Sequence, residues 1–279
     1  MSSKIEREDG VTYIATISGG KDSVTMCDML LKGGYPVDEI LFSDTLLEFD
    51  EMYVYIEKVH EYFLKRYGKG ITIVTPTSRF EEWMLGTIAD NEKFERPGWI
   101  RGAPADEGVC YWRRESKINP INKYIKKNYR NMKIVKYIGY TIGEARSIKD
   151  EKNTTHVYPL RDIFKMSEEQ CKEYLINQEM ENPLYRHFSR TGCAICPFQS
   201  PRSLFNLWKH YPKHWNKMKQ LEKDLHAKAE KEGRNIVNPA WFRGFNTCAD
   251  KEIKHTKTDQ QGSLFDFSDE PLKDCFCKI

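Results

Sequence analysis

The chain has 279 residues, 39% hydrophobic and 30% charged. That leaves room for one large domain or two ordinary ones, excludes a long solenoid, and is too apolar for a disordered chain. Its 44 basic and 41 acidic residues leave a net charge of +3, which allows an anionic ligand and falls short of a strong nucleic-acid signature.

No apolar run approaches the ~20 residues that span a bilayer, and Met1–Gly10 is charged, without the apolar stretch of a secretory signal. A cytoplasmic protein without a membrane partner is expected. Its eight cysteines are then thiols, metal ligands or redox groups rather than structural disulfides.

Val11–Ile17 is a short apolar run rich in β-branched residues that ends at Ser18-Gly19-Gly20, the pattern of a buried strand feeding a tight turn. A helix follows from about Asp22, with Val24, Cys27, Leu30 and Leu31 at helical spacing and Gly33-Gly34 as its stop. Ile40–Phe42 reads as a second strand. Met52, Ile56, Val59 and Phe63 form the stripe of a helix closing at Gly68, and Ile71–Val74 is a third strand. Ser78 with Glu81 reads as a capping box. The alternation predicts an α/β fold with a doubly wound, mostly parallel sheet.

Residues 90–109 carry Pro97, Gly98, Gly102, Pro104 and Gly108, an irregular, lid-like loop. A basic helix from Trp112 to about Lys127 and a strand at Ile134–Tyr140 complete the first domain. The expected division is a nucleotide-binding domain over 1–158, a smaller helical, cysteine-containing region over 159–256 and a loosely held tail over 257–279. Helices are expected after Ser167 with Gln170, at Ser200-Pro201 and at Pro212.

Ser18-Gly19-Gly20-Lys21-Asp22-Ser23 falls at the carboxyl end of a strand and the amino end of a helix, where α/β sheets bind ligands. The glycines bring N–H groups to an oxyanion, and the helix dipole and Lys21 favour its negative charge. The run is neither G-x-x-x-x-G-K-[ST] nor G-x-G-x-x-G, which argues against a switch GTPase and against a dehydrogenase. An ordinary glycine turn with a capping serine is the plainer alternative.

This run resembles the signature of the PP-loop (adenine nucleotide α-hydrolase) superfamily. Leu41-Phe42-Ser43-Asp44-Thr45 with Glu48-Phe49 is similar to the second-strand segment of the phosphoadenylyl-sulfate (PAPS) reductase family, with Leu46 where glycine is usual. Gly139-Tyr140 with Gly143-Glu144-Ala145-Arg146-Ser147 is similar to that family's G-x-x-x-x-E-x-x-R stretch, the arginine one place early. Tyr158-Pro159-Leu160, Asn182-Pro183-Leu184-Tyr185 and Gly192-Cys193-Ala194-Ile195-Cys196-Pro197 are similar to its downstream half.

The resemblance implies an adenine nucleotide, ATP or phosphoadenylyl sulfate, cradled by Ser18, Gly19, Gly20, Lys21, Asp22 and Ser23. It places Asp44, Thr45, Gly139, Glu144 and Arg146 around the nucleotide. Lys21 and Arg146 would counter phosphate charge, and Asp22 and Ser23 would support the loop or a magnesium ion. Sulfur chemistry is implied, with a sulfur donor or thiol reductant as co-reactant. In one version ATP activates an acceptor and releases AMP and pyrophosphate. In another, a thiolate reduces phosphoadenylyl or adenylyl sulfate to sulfite. A non-catalytic nucleotide-responsive module on DNA or RNA machinery is the third reading, and a homodimer stays open.

Cys193 and Cys196 lie one tight turn apart, close enough to share a metal. Sulfur-transferring relatives commonly carry a cysteine at the place of Cys110, so a [4Fe–4S] cluster on Cys110, Cys193, Cys196 and Cys248 is expected, with Cys275 or Cys277 as substitutes for the last. Spacing also nearly fits a zinc site, because Cys193-x2-Cys196 is followed after thirteen residues by His210-x3-His214. A redox dithiol or an inert turn are further alternatives.

Cys27 and Cys171 read as buried packing. Cys275 and Cys277 sit where PAPS reductases carry a nucleophilic tail cysteine, so Lys21, Asp22, Cys110 and Cys277 are the catalytic candidates. The tail context of those enzymes, Glu-Cys-Gly-[Leu]-His, is absent. Residues 113–136 hold nine lysines and arginines against one acid, Glu115, with interleaved aromatics, readable as a nucleic-acid contact or as a solvated helix. Gln261-Gly262-Ser263-Leu264-Phe265 resembles a sliding-clamp docking peptide.

Overall fold

Strand β1 (Val11–Ile17) is buried along its whole length, as a strand with both faces covered must be. A computed structural model of the chain describes residues 5–89, 95–106, 109–242 and 246–261. The described residues fall into two compact units, one drawn from residues 5–76 and 116–192, the other from 77–115 and 193–261.

In the first unit β1 is followed by α1 (Lys21–Lys32), β2 (Glu39–Ser43), α2 (Asp50–Tyr67) and β3 (Thr72–Val74). The second unit begins with α3 (Phe80–Leu85), β4 (Ile100–Gly102), β5 (Ala105–Asp106), β6 (Val109–Cys110) and α4 (Tyr111–Arg113). After a π-helical stretch at Arg114–Ile118 come α5 (Asn119–Asn128), β7 (Lys133–Tyr137), β8 (Thr154–Val157), α6 (Pro159–Asp162), α7 (Glu168–Asn177) and a 3-10 turn at Pro183–Arg186. The second unit then resumes with α8 (Pro201–His210), α9 (Pro212–Glu232), β9 (Ile236–Asn238) and α10 (Cys248–Gln261). None of the described helices is long and apolar enough to cross a membrane.

The sheet of the first unit has the order β3-β2-β1-β7-β8, and every pairing is parallel. From β1 the chain steps outward to β2 and β3, then returns to β7 on the other side of β1. Right-handed crossovers in opposite directions put helices on both faces, so the expected doubly wound α/β architecture is present. On one face Ile121 of α5 joins Ile14, Leu41, Val74 and Ile134 in a buried cluster. The paired helices α1 and α2 form the other layer, and α7 packs on α1.

Several boundaries differ from the expected ones. The strand placed at Ile134–Tyr140 leaves the sheet after Tyr137, because Ile138 and Tyr140 pack with Tyr158 in a cluster of their own. The capping box placed at Ser78 and Glu81 lies one residue on: the N–H of Arg79 donates to Glu82 Oε2 at 3.0 Å, while Glu81 pairs with Lys217 at 2.7 Å.

A division at residue 158 also differs from the compact units. Residues 159–192 stay with the sheet, where the Thr25 hydroxyl donates to the carbonyl of Cys171 at 3.1 Å and α7 lies against α1. Residues 77–115 group with the later helices, since β4 pairs with β9.

Candidate functional site

The direction of strand succession reverses between β1 and β7, and parallel α/β sheets take ligands at such a point, outside the carboxyl ends of the strands. The loop Ser18–Ser23 leaves β1 at this point, and Gly139 follows β7. The two are in contact: a Cβ on Gly139 would lie 2.9 Å from Ser23 Cα and 3.0 Å from Ser23 N. Gly19 takes φ +74°, and a Cβ on it would meet Met52 Sδ at 2.3 Å, so the turn into α1 needs glycine on both counts.

The loop is held by its own serines and by residues far along the chain. Ser23 Oγ accepts from the N–H of Ser18 at 3.1 Å and donates to the Gly20 carbonyl at 3.0 Å. Buried Asn182 donates from Nδ2 to the Gly19 carbonyl at 2.9 Å, and the Tyr185 hydroxyl accepts from the N–H of Lys21 at 2.8 Å. The Asn182–Tyr185 stretch carried the family resemblance without any assigned role; its contact with the loop is what the sequence left out.

Lys21 is only 8% exposed, and its ammonium lies 2.6 Å from Glu168 Oε2 and 3.2 Å from Asp22 Oδ1. Burial pulls its pKa down, but Asp22, Tyr185 and Glu168 outweigh that and hold it above the ordinary lysine range. A fixed cation beside the positive end of a 12-residue helix is suited to an oxyanion. Glu168 had no sequence signal beyond being an acid in the first turn of a helix.

Beside the loop, Asp44 Oδ1 accepts from the N–H of Leu46 at 2.8 Å and from the Tyr53 hydroxyl at 3.0 Å. Leu46 takes φ +59°, so the backbone keeps the left-handed conformation at the place where glycine is usual. Thr45 donates to Glu48 Oε1 at 2.7 Å. Burial pushes the Glu48 carboxyl upward, opposed by Lys117 and the Thr45 hydroxyl and reinforced by Asp44.

After Gly139, Glu144 accepts from the N–H of Thr141 at 3.1 Å and pairs with Arg146 at 2.9 Å. The Arg146 guanidinium stands 4.8 Å from the Tyr140 ring centre. Ser18 to Ser23, Asp44, Thr45, Gly139, Glu144 and Arg146 all belong to the first unit, on segments that follow β1, β2 and β7.

The cysteines of interest lie in the second unit. The Cys193–Cys196 turn is closed by the Cys196 N–H on the Cys193 carbonyl at 3.1 Å. Gln199 Nε2 supports it on the Ala194 carbonyl at 2.9 Å, and Trp241 Nε1 on the Ile195 carbonyl at 3.2 Å. Cys110, Cys193 and Cys196 are partly exposed, whereas Cys248 is buried. Burial, and after it the neighbouring Glu222, pushes the Cys248 thiol far above its usual range.

Among the described residues, no group of three or more His, Cys, Asp or Glu side chains is placed to hold a metal ion. For the zinc alternative, α8 ends at His210 and α9 begins at Pro212. A proline between the two histidines denies them one continuous helix. Cys27 is buried, with its thiol pushed upward by burial, and Cys171 is buried too, as packing residues should be. Cys275, Cys277 and residues 262–265 of the clamp-like peptide lie outside the described residues.

A glycine loop at the switch point of a parallel sheet, backed by a lysine at the helix start, defines an α/β protein of the PP-loop type. Residues 12–199 match the family model described as phosphoadenosine phosphosulfate reductase domain, and the chain belongs to that family. Over 225 residues it is 26% identical to the uncharacterized protein MJ0066 of Methanocaldococcus jannaschii, a match covering 77% of this chain and 42% of that protein. The chain thus spans less than half the length of that curated relative.

Two solved structures are also similar. One is the phosphoadenylyl-sulfate (PAPS) reductase of Candida auris in a phosphate complex, 17% identical with a TM-score of 0.43, covering 63% of this chain and 76% of that one. The other is the U34-tRNA thiolase NcsA of Methanococcus maripaludis with its [4Fe-4S] cluster, 15% identical with a TM-score of 0.37, covering 81% of this chain and 72% of that one.

Proposed function

We propose that the protein is an enzyme of sulfur chemistry that binds an adenine nucleotide on the Ser18–Ser23 loop. The observation that carries the reading is the loop's position at the β1/β7 switch point, with Gly139 making room for the start of α1; membership of the family adds to it. The loop amides and Lys21 take the phosphates, Arg146 adds a second cation, and Asp22 and Ser23 keep the loop in shape or face a magnesium ion. Asp44 and Thr45, after β2, are assigned to the adenosine side.

In the favoured version an acceptor oxygen attacks the α-phosphorus of ATP and pyrophosphate leaves, its charge met by Lys21. A sulfur nucleophile then displaces AMP from the adenylylated acceptor, so that a poor leaving group has become a good one. A thiolate-bearing donor is required, and Cys110, Cys193 and Cys196 are the partly exposed thiols available among the described residues. A [4Fe–4S] cluster would supply sulfide binding or electron transfer. Cys193 and Cys196 would hold it from their shared turn, with Cys110 and Cys248 as the further candidate ligands, and no step here passes through a cluster.

The family match to a reductase domain favours a second version. In it a thiolate attacks the sulfur of phosphoadenylyl sulfate and the nucleotide leaves; a second thiol then releases sulfite and leaves a disulfide. The test is direct. ATP with candidate acceptors should yield AMP and pyrophosphate in a Lys21-dependent way, or phosphoadenylyl sulfate with a reduced dithiol should yield sulfite. Neither product from wild-type protein, and no binding of either nucleotide, would end the proposal.

A further inference from the structure

We infer that Glu168 is a built-in competitor for the phosphate subsite, a specificity-determining residue that an incoming nucleotide must displace from Lys21. The inference rests on the nucleotide reading above. Lys21 Nζ meets two carboxylates, Glu168 Oε2 at 2.6 Å and Asp22 Oδ1 at 3.2 Å, so in this state its charge is already countered.

The two partners differ in freedom. The Asp22 side chain is 8% exposed and adjacent in sequence, whereas that of Glu168 is 46% exposed and sits at the first position of α7, from which it can turn into water. The N–H of Lys21 is likewise taken by the Tyr185 hydroxyl, so both of the lysine's anion-binding groups are engaged from the 168–185 stretch. Asp22 stays as the fixed counter-charge, and Glu168 is the exchangeable one. A weak anion gains little by replacing a carboxylate already in place. A phosphate chain anchored by its adenosine displaces Glu168 and takes the ammonium.

The experiment is calorimetric titration of wild type, Glu168→Gln, Glu169→Gln and Lys21→Ala with ATP, phosphoadenylyl sulfate and adenosine. Glu168→Gln should bind the phosphate-bearing ligand roughly two- to fivefold more tightly, the upper part of the range for losing a partly exposed competing charge, with adenosine unchanged. Glu169→Gln, one residue along the same turn and hydrogen-bonded to Ser167, should stay within about twofold, since removing a charge without the contact is screened.

Unchanged or weaker nucleotide binding by Glu168→Gln overturns the inference while leaving the site intact, provided Lys21→Ala still weakens wild-type binding. Equal tightening by both glutamine variants also overturns it, because general charge would then be the cause. If wild type binds neither nucleotide, or Lys21→Ala makes no difference, the nucleotide reading falls and this inference with it.

Discussion

Gly139→Ala tests whether the loop and the β7 end are fitted to one another. The added methyl would sit 2.9 Å from Ser23 Cα, 3.0 Å from Ser23 N and 3.2 Å from the Asp22 carbonyl carbon. Non-bonded carbons are comfortable near ~3.5 Å, so the nearest contact is short by about half an ångström. All three atoms are backbone, and no rotamer change relieves them. Overpacking of this kind costs about 1–3 kcal/mol, offset by ~0.4–1 kcal/mol from the stiffer unfolded chain.

The net loss should lower the melting temperature by about 2–8 °C. Because the displaced atoms open α1, nucleotide affinity should fall by about tenfold or more. Differential scanning fluorimetry and a nucleotide titration read the two effects. Gly143→Ala is the control, since a Cβ there meets nothing within 4 Å, and it should stay within about 0.5 kcal/mol of wild type. A Gly139→Ala protein that melts with wild type and binds nucleotide equally well would refute the fitted-loop argument.

Leu46→Gly should raise stability by up to ~1 kcal/mol, because the left-handed backbone at φ +59° burdens a leucine by ~1–2 kcal/mol and glycine's extra unfolded freedom returns part of the gain; Leu46→Val should lower it, and melting curves in the reverse order would count against the assignment. Glu222 accepts from the N–H of Trp241 at 2.7 Å and of Cys248 at 2.9 Å, so Glu222→Ala leaves two buried donors unmet and should cost about 2–5 kcal/mol in urea unfolding, with Glu222→Gln milder; a loss under about 1 kcal/mol would contradict this. His255 is held down to about 4 by burial, then by Lys251. The unfolded imidazole takes a proton near 6.5 and the folded one only near 4, so this stability is complete above about pH 6.5 and is lost as pH falls toward 4, by up to about 3 kcal/mol. His255→Phe should flatten that part of the urea-unfolding profile, and an unchanged slope would assign it elsewhere.

The first half of the sheet was readable because its signals are local. Val11–Ile17 is uninterrupted and apolar, the glycines follow at once, and α1 and α2 carry regular stripes ending in glycines. β8 went unread because Thr154–Val157 is a short edge strand with a polar face and little apolar signal. α10 is polar nearly throughout and has no stripe to announce it. β4 and β9 pair across more than 130 residues, and no spacing rule reaches that far. At the site the loop itself was legible, but its supports were not: Asn182, Tyr185 and Glu168 meet it through contacts of 163, 164 and 147 residues' separation. The burial of Cys248 beside Glu222 is likewise a property of packing that composition does not carry.

The hydrogen bond from Asn182 to Gly19 also has a consequence during synthesis. Gly19 emerges from the ribosome 163 residues before its partner, on the order of ten to thirty seconds at ordinary rates of translation. Through that interval the nascent loop has its glycines and its lysine but neither the amide that pins Gly19 nor the phenol that meets Lys21. Completion of the loop's supports is therefore deferred until the segment beyond α7 has been made, and a prematurely terminated product carries the motif without them.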